Sequence, residues 1–159
     1  MNEEAIYLVR CRAFAALELM LDITHSTRTL TPVDGESMII FACITEATMR
    51  QLMLSPDTPA EVIRMQAPPE QFRGSITMLS VADKLGLPRE TVRRKIKALI
   101  DKKILVEHDG RIRSRPYVTS PRGQRAANEV FEAVRRYSDR LHQLGVAAPG
   151  DDPAELGIS

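Results

Sequence analysis

Apolar residues recur at helical spacing over residues 3–24. On a 100° projection Glu3, Glu4, Arg10, Glu18 and Asp22 gather on one side. Val9, Ala13, Ala16, Met20 and Ile23 lie opposite, widened by Leu8, Leu17 and Leu19, with Arg12 the one charge out of place. So broad an apolar face requires a partner surface. Residues 24–36 contain Pro32 and the Asp34-Gly35 pair and read as a loop. Ser37 is placed to cap a second helix running to Leu54, which Ser55-Pro56 would end. Thr58-Pro59-Ala60-Glu61 has the form of a capping box with Pro at the first helical position. It predicts a short helix before Ala67-Pro68-Pro69.

From residue 75 the pattern tightens. A short helix carries Val81, Ala82 and Leu85 on one face, and Ala82 is small enough for a second helix to cross closely. Gly86 supplies a left-handed stop, Leu87 plugs the turn, and Pro88 opens the next helix. In that helix Val92, Ile96, Leu99 and Ile100 form the inward stripe. Glu90, Arg94, Lys97 and Asp101 face outward, with Thr91 and Arg93 on the flanks and Arg89 in the first turn. After Lys102-Lys103, the alternation Ile104-Leu105-Val106 leads to a hairpin with Asp109-Gly110 at its tip. Ile112 and Val118 belong to the returning strand, with Arg111, Arg113 and Arg115 projecting between. A last helix, capped by Ser120 with Pro121 at its first position, runs to Leu144 before Gly145. Ala127, Val130, Val134, Tyr137, Leu141 and Leu144 give it an a/d seam.

Charge changes the picture more than composition does. The net charge of the 159 residues is +1. Residues 1–72 hold 5 basic against 10 acidic side chains, residues 73–125 hold 14 against 5, and residues 126–159 hold 3 against 6. A basic block between two acidic segments is the footprint of a localised polyanion-binding face. Arg, Lys, Glu and Thr on the N-terminal half of a second helix are the side chains that reach base edges and phosphates in a major groove. Thr77 and Ser80 could donate to phosphate from the start of the preceding helix. A basic hairpin directly afterwards reads as a wing that reaches the backbone or minor groove. Glu90 is expected to pair with Arg94 at i+4 rather than read a cytosine amino group.

Residues 75–125 resemble the winged helix-turn-helix domain of bacterial regulators of the broad group that includes the MarR, IclR and Lrp families. The carrying pattern is Ser80-Val81-Ala82-Asp83-Lys84-Leu85-Gly86-Leu87-Pro88-Arg89-Glu90-Thr91-Val92-Arg93-Arg94, then Leu99 and Lys103-Ile104-Leu105. Val118-Thr119-Ser120-Pro121-Arg122-Gly123 is similar to the wing-to-helix junction of MarR-like proteins. The resemblance covers about a third of the chain. It implies a mainly α fold with a small β-hairpin wing and a transcriptional regulator of double-stranded DNA, acting as a homodimer on an inverted repeat.

The expected organisation is an N-terminal helical region over 1–72, a DNA-binding domain over 73–120, a dimerisation helix over 121–145 and a disordered tail over 146–159. Val9, Ala13, Ala16 and Met20, with Val130, Val134, Tyr137 and Leu141, are the expected dimer contacts. Two alternatives stand beside this reading. One is a winged-helix protein-interaction module, against which Arg89, Arg93, Arg94 and Lys97 speak. The other is an effector-responsive regulator with a small-molecule pocket between the N-terminal helices and the winged domain. Met38, Met49, Met53, Met65 and Met78 could line such a pocket, but core filling is the reading preferred for them. Enzyme chemistry finds no nucleophile–base pair or phosphate-cradling loop. His25, His108 and His142 share no ligand spacing, so neither a metal nor another cofactor is expected. Cys11 and Cys43 read as reduced core thiols of a cytoplasmic protein. The longest apolar run, 38–44, is too short to span a bilayer, and with no basic stretch before an apolar run in the first residues a secretion signal is not expected.

Overall fold

Period-3.6 and period-2 segments resolve into six α-helices and a three-stranded antiparallel sheet among the residues described by the computed structural model: 2–30, 33–116 and 120–146. The chain divides into two units, residues 1–30 with 124–159, and residues 31–123.

In the first unit, α1 (Glu3–Leu30) packs against α6 (Pro121–Gln143). Helix α1 runs past Thr24, where a loop was expected. The Thr24 hydroxyl donates to the Met20 carbonyl (2.7 Å) and that of Thr27 to Ile23 (2.8 Å), so both side chains are satisfied within helical backbone. Cys11, Ala15, Leu141 and Val146 are buried together, with Leu8, Tyr137 and Leu144 around them. Two ion pairs flank this core: Arg140 reaches Glu18 (2.8 and 3.2 Å), and Arg136 reaches Asp22 (2.8 Å).

The expected a/d seam of α6 therefore divides. Leu141 is buried on α1 of its own chain and Tyr137 is partly buried beside it, because the small Cys11 and Ala15 make room for them. Val134, by contrast, is exposed, as are Val9, Ala13, Ala16 and Met20 of α1, and Val130 is half-buried. Gly145 turns the chain at φ 67°, and the Val146 amide donates to the Leu141 carbonyl (2.9 Å). Val146, expected to begin a disordered tail, is thus a core residue. Residues 147–159 of that expectation lie outside the described residues, as do Pro32, Val118 and Thr119.

In the second unit, α2 (Gly35–Leu54) starts three residues earlier than expected, because Asp34 and not Ser37 is its cap. The Asp34 carboxylate accepts from the Ser37 amide (3.1 Å) and hydroxyl (2.9 Å). Helix α3 (Ala60–Ile63) forms where expected, but without the capping box. Pro59 is its cap, and the Thr58 hydroxyl donates to Gln51 O instead. A 3₁₀ turn (Glu70–Phe72) leads to β1 (Ile76–Thr77), α4 (Met78–Leu85), α5 (Arg89–Asp101), β2 (Leu105–His108) and β3 (Arg111–Ser114).

Strand order is β1-β3-β2, with Ile76 opposite Ile112 and Glu107 also opposite Ile112. Asp109 and Gly110, at φ 51° and 72°, make the two-residue turn that matches strand twist. The core joins Ile40, Phe41, Cys43 and Ile44 of α2 to Val81 and Ala82 of α4. Val92, Ile96 and Leu99 of α5, with Leu105 and Ile112 of the hairpin, complete it. Met38 and Met78 pack at its edge. Helix α2 is long and apolar enough, by length and composition, to cross a membrane; here it carries one wall of this core.

Strand β1 depends on a glycine. The Gly74 amide donates to Thr48 O (2.9 Å), and a Cβ at position 74 would collide with the Ala47 carbonyl oxygen. Only a bare backbone lets the chain pass this close to α2 and pair with β3.

Candidate nucleic-acid interface

Helix α4 begins at Thr77, whose hydroxyl oxygen accepts from the Ser80 amide (3.2 Å) and lies 2.9 Å from the Ser80 hydroxyl. One hydroxyl proton of this pair is used between the two oxygens, and the other remains to be donated outward. Gly86 ends α4 at φ 64°; its amide and that of Leu87 both close on the Ala82 carbonyl. The three-residue connection sets α5 across α4, with Val92, Ile96 and Leu99 buried as the stripe predicts.

The outer face of α5 is cationic. Arg89, Arg93, Arg94 and Lys97 are exposed and Thr91 is half-buried. Glu90 pairs with Arg93, not with Arg94: Arg93 Nε and Nη2 donate to its two carboxylate oxygens at 2.9 and 2.7 Å. The i+3 spacing brings both guanidinium donors into a fork, which Arg94 at i+4 does not form. This pairing lowers the Glu90 pKa and raises that of Arg93. Among the described residues Arg89, Arg94 and Lys97 have no ion-pair partner. Lys95 does not share this face. Only 17% exposed, its ammonium sits 2.7 Å from Asp34 and 3.7 Å from Glu36 and ties α5 to the start of α2. The Lys95 hydrogen bond, seconded by the Ser37 amide, holds the Asp34 carboxyl well below the usual carboxylate range.

The three hairpin arginines have different surroundings. Arg111 lies in register with Thr77 and donates to the Ser75 hydroxyl (2.7 Å) and carbonyl (2.9 Å). Its exposed charge is thereby held beside the N-terminus of α4. Arg115 is exposed. Arg113 does not project as expected. Its side chain is only 16% exposed and approaches Glu70 at 3.5 Å, because β3 is the central strand and this position faces the 3₁₀ turn.

Sequence reasoning missed the anchoring role of Ser75, the Glu70–Arg113 pairing and the Lys95–Asp34 tether. The charges were visible, but their pairing depends on β1, a two-residue strand with no periodic signal of its own. No family model, curated protein or solved structure matches this chain.

Proposed function

We propose that residues 73–116 form a winged helix-turn-helix that binds double-stranded DNA, with α5 in the major groove and the β2–β3 hairpin as the wing. The observation that carries this reading is the exposed row Arg89, Arg94 and Lys97 on α5, unpaired among the described residues, with Arg111 held beside the start of α4. Exposed cations gathered on one helix face present a positive potential that attracts a polyanion, and the guanidinium fork matches guanine edges and phosphate. Arg93, already engaged by Glu90, reads as a pre-oriented phosphate or base contact. Thr77 and Ser80 have one hydroxyl proton left for a phosphate, and Thr91 flanks the groove-facing row. Arg113 drops out of the proposed contacts, since it is covered.

The proposal includes a homodimer acting as a transcriptional regulator on an inverted repeat. Val9, Ala13, Ala16, Leu17 and Met20 leave α1 with an apolar face directed away from Cys11 and Ala15, and Met20 is 62% exposed. On α6, Phe131 and Val134 are exposed as well. Two such helix pairs, each burying this face on the other, make a four-helix bundle.

The deciding experiment is selection from a randomised duplex pool at about 150 mM salt, where non-specific binding is weakened. Enrichment of an inverted repeat with half-sites about one helical turn apart, roughly 34 Å, is expected. A well-folded protein that enriches nothing, with and without candidate effectors, would overturn the reading in favour of a protein-interaction module.

A further inference from the structure

Under the C-terminal half of α2 the second unit holds a pocket of about 190 Å³. Met49, Leu52 and Met53 of α2, with Ile63 and Met65, form its apolar wall. Thr45, Thr48, Gln66 and Ser114 line it as well, with Arg73 and Arg115 as its charged residues, and no Asp or Glu lines it among the described residues. Two further features point to a ligand. The Thr45 hydroxyl is shielded from solvent and has no hydrogen-bond partner. Buried polar atoms are normally paired, so an unpaired one beside a pocket becomes a contact for an occupant once the side chains covering it shift. Arg73 is half-buried and donates through Nη2 to the Ser114 carbonyl. Its burial and then the neighbouring Arg113 pull its pKa down, with Glu70 opposing them, so a further anion beside it would favour the charged form.

We propose that this pocket binds a small aliphatic monocarboxylate, with its chain against Met49, Met53 and Met65 and its carboxylate at Arg73 and the Thr45 hydroxyl. The volume lies below the roughly 300–1,000 Å³ of sites for drug-sized ligands, which restricts the occupant to a chain of roughly six to eight carbons. Unbranched methionine side chains adapt to such a chain. Ser114 and Arg115 belong to the end of the β2–β3 hairpin, so an occupant touches the base of the proposed wing. Any effect on duplex binding rests on the DNA-binding reading; occupancy of the pocket does not.

The test is a titration of the full chain, methyl-labelled at methionine, with octanoate in the absence of DNA. Saturable shifts are expected at Met49, Met53 and Met65, with Met20 and Met38 unmoved. Octan-1-ol should bind at least tenfold more weakly. Thr45→Val should weaken octanoate severalfold while leaving the thermal midpoint unchanged or raised, and Arg73→Gln should weaken it about tenfold. Thr45→Val keeps the proposal testable if the arginine variant fails to fold. Absent shifts, linear shifts at every methionine including Met20, or equal affinity for octanol would each overturn the proposal. Saturation by octanoate in a protein that enriches no DNA site would sink only the regulator reading, whereas DNA selection without octanoate binding would sink only the pocket.

Discussion

At the scale of single residues, Arg94 and the two arginines of β3 separate reading from holding. Arg94 stands on the proposed groove face with no ion-pair partner among the described residues, so Arg94→Ala should cost about 1–3 kcal/mol on the best site and relax specificity there. Unchanged affinity in a quantitative gel-shift series would show that α5 presents another face. Arg111→Ala should weaken binding to all sequences and lower the salt slope by about one. Arg113→Ala should leave that slope alone and lower the urea midpoint instead, because a largely covered guanidinium beside Glu70 is removed. If the two variants behave alike in both measurements, the assignment of one to DNA and the other to the fold fails. The sequence made all three hairpin arginines look equivalent, since strand alternation places them on one side. What distinguishes them is a neighbour far along the chain: Ser75 for Arg111 and Glu70 for Arg113. The same holds for Lys95, which looks like a recognition-helix charge until Asp34 is brought against it.

At the scale of elements, the region legible in advance was the one whose signals are local. The α4–Gly86–α5 connection and the Asp109-Gly110 turn each rest on residues within a few positions of one another, and both form as expected. Strand β1 was not legible, because its two residues pair only with β3 and its entry depends on Gly74 meeting α2. Gly74→Ala should therefore destabilise the fold by about 1–3 kcal/mol, the cost of overpacking a site with no room. Equilibrium urea unfolding measures it, and a neutral outcome would mean that β1 can shift without loss.

The junction of α2 and α5 adds a pH dependence. Asp34 has its folded pKa depressed by Lys95, so its contribution is present above the unfolded value of about 3.9 and lost as pH falls toward the lower folded value. Lys95→Met should lower stability at neutral pH and flatten the loss below about pH 4. Parallel acid limbs for parent and variant would show that the tether carries no linkage.

At the scale of the whole molecule, the question is what covers the apolar surface of the helical unit. Its own core takes Tyr137 and Leu141, so a dimer cannot use the full a/d seam of α6. The ion pairs from Arg136 and Arg140 to Asp22 and Glu18 occupy one flank of the helix pair. On a helical projection Phe131 and Val134 fall on the other side of α6 from those arginines. Met20 and Val9 of α1 are likewise turned away from Glu18 and Asp22. An apolar surface bounded by charge is what a two-fold bundle buries, and a single carboxylate placed there would face its own copy across the axis. Met20→Glu and Val134→Glu should each leave the monomer folded, since both positions are exposed, and shift the mass measured by light scattering from dimer to monomer. The same variants should bind an isolated half-site as well as the parent does but lose its preference for the inverted repeat, because linking two half-sites through a dimer converts the second contact into an intramolecular one. A parent protein that is monomeric at micromolar concentration, or a Met20→Glu dimer as tight as the parent, would place the second copy elsewhere and leave this face to a different partner.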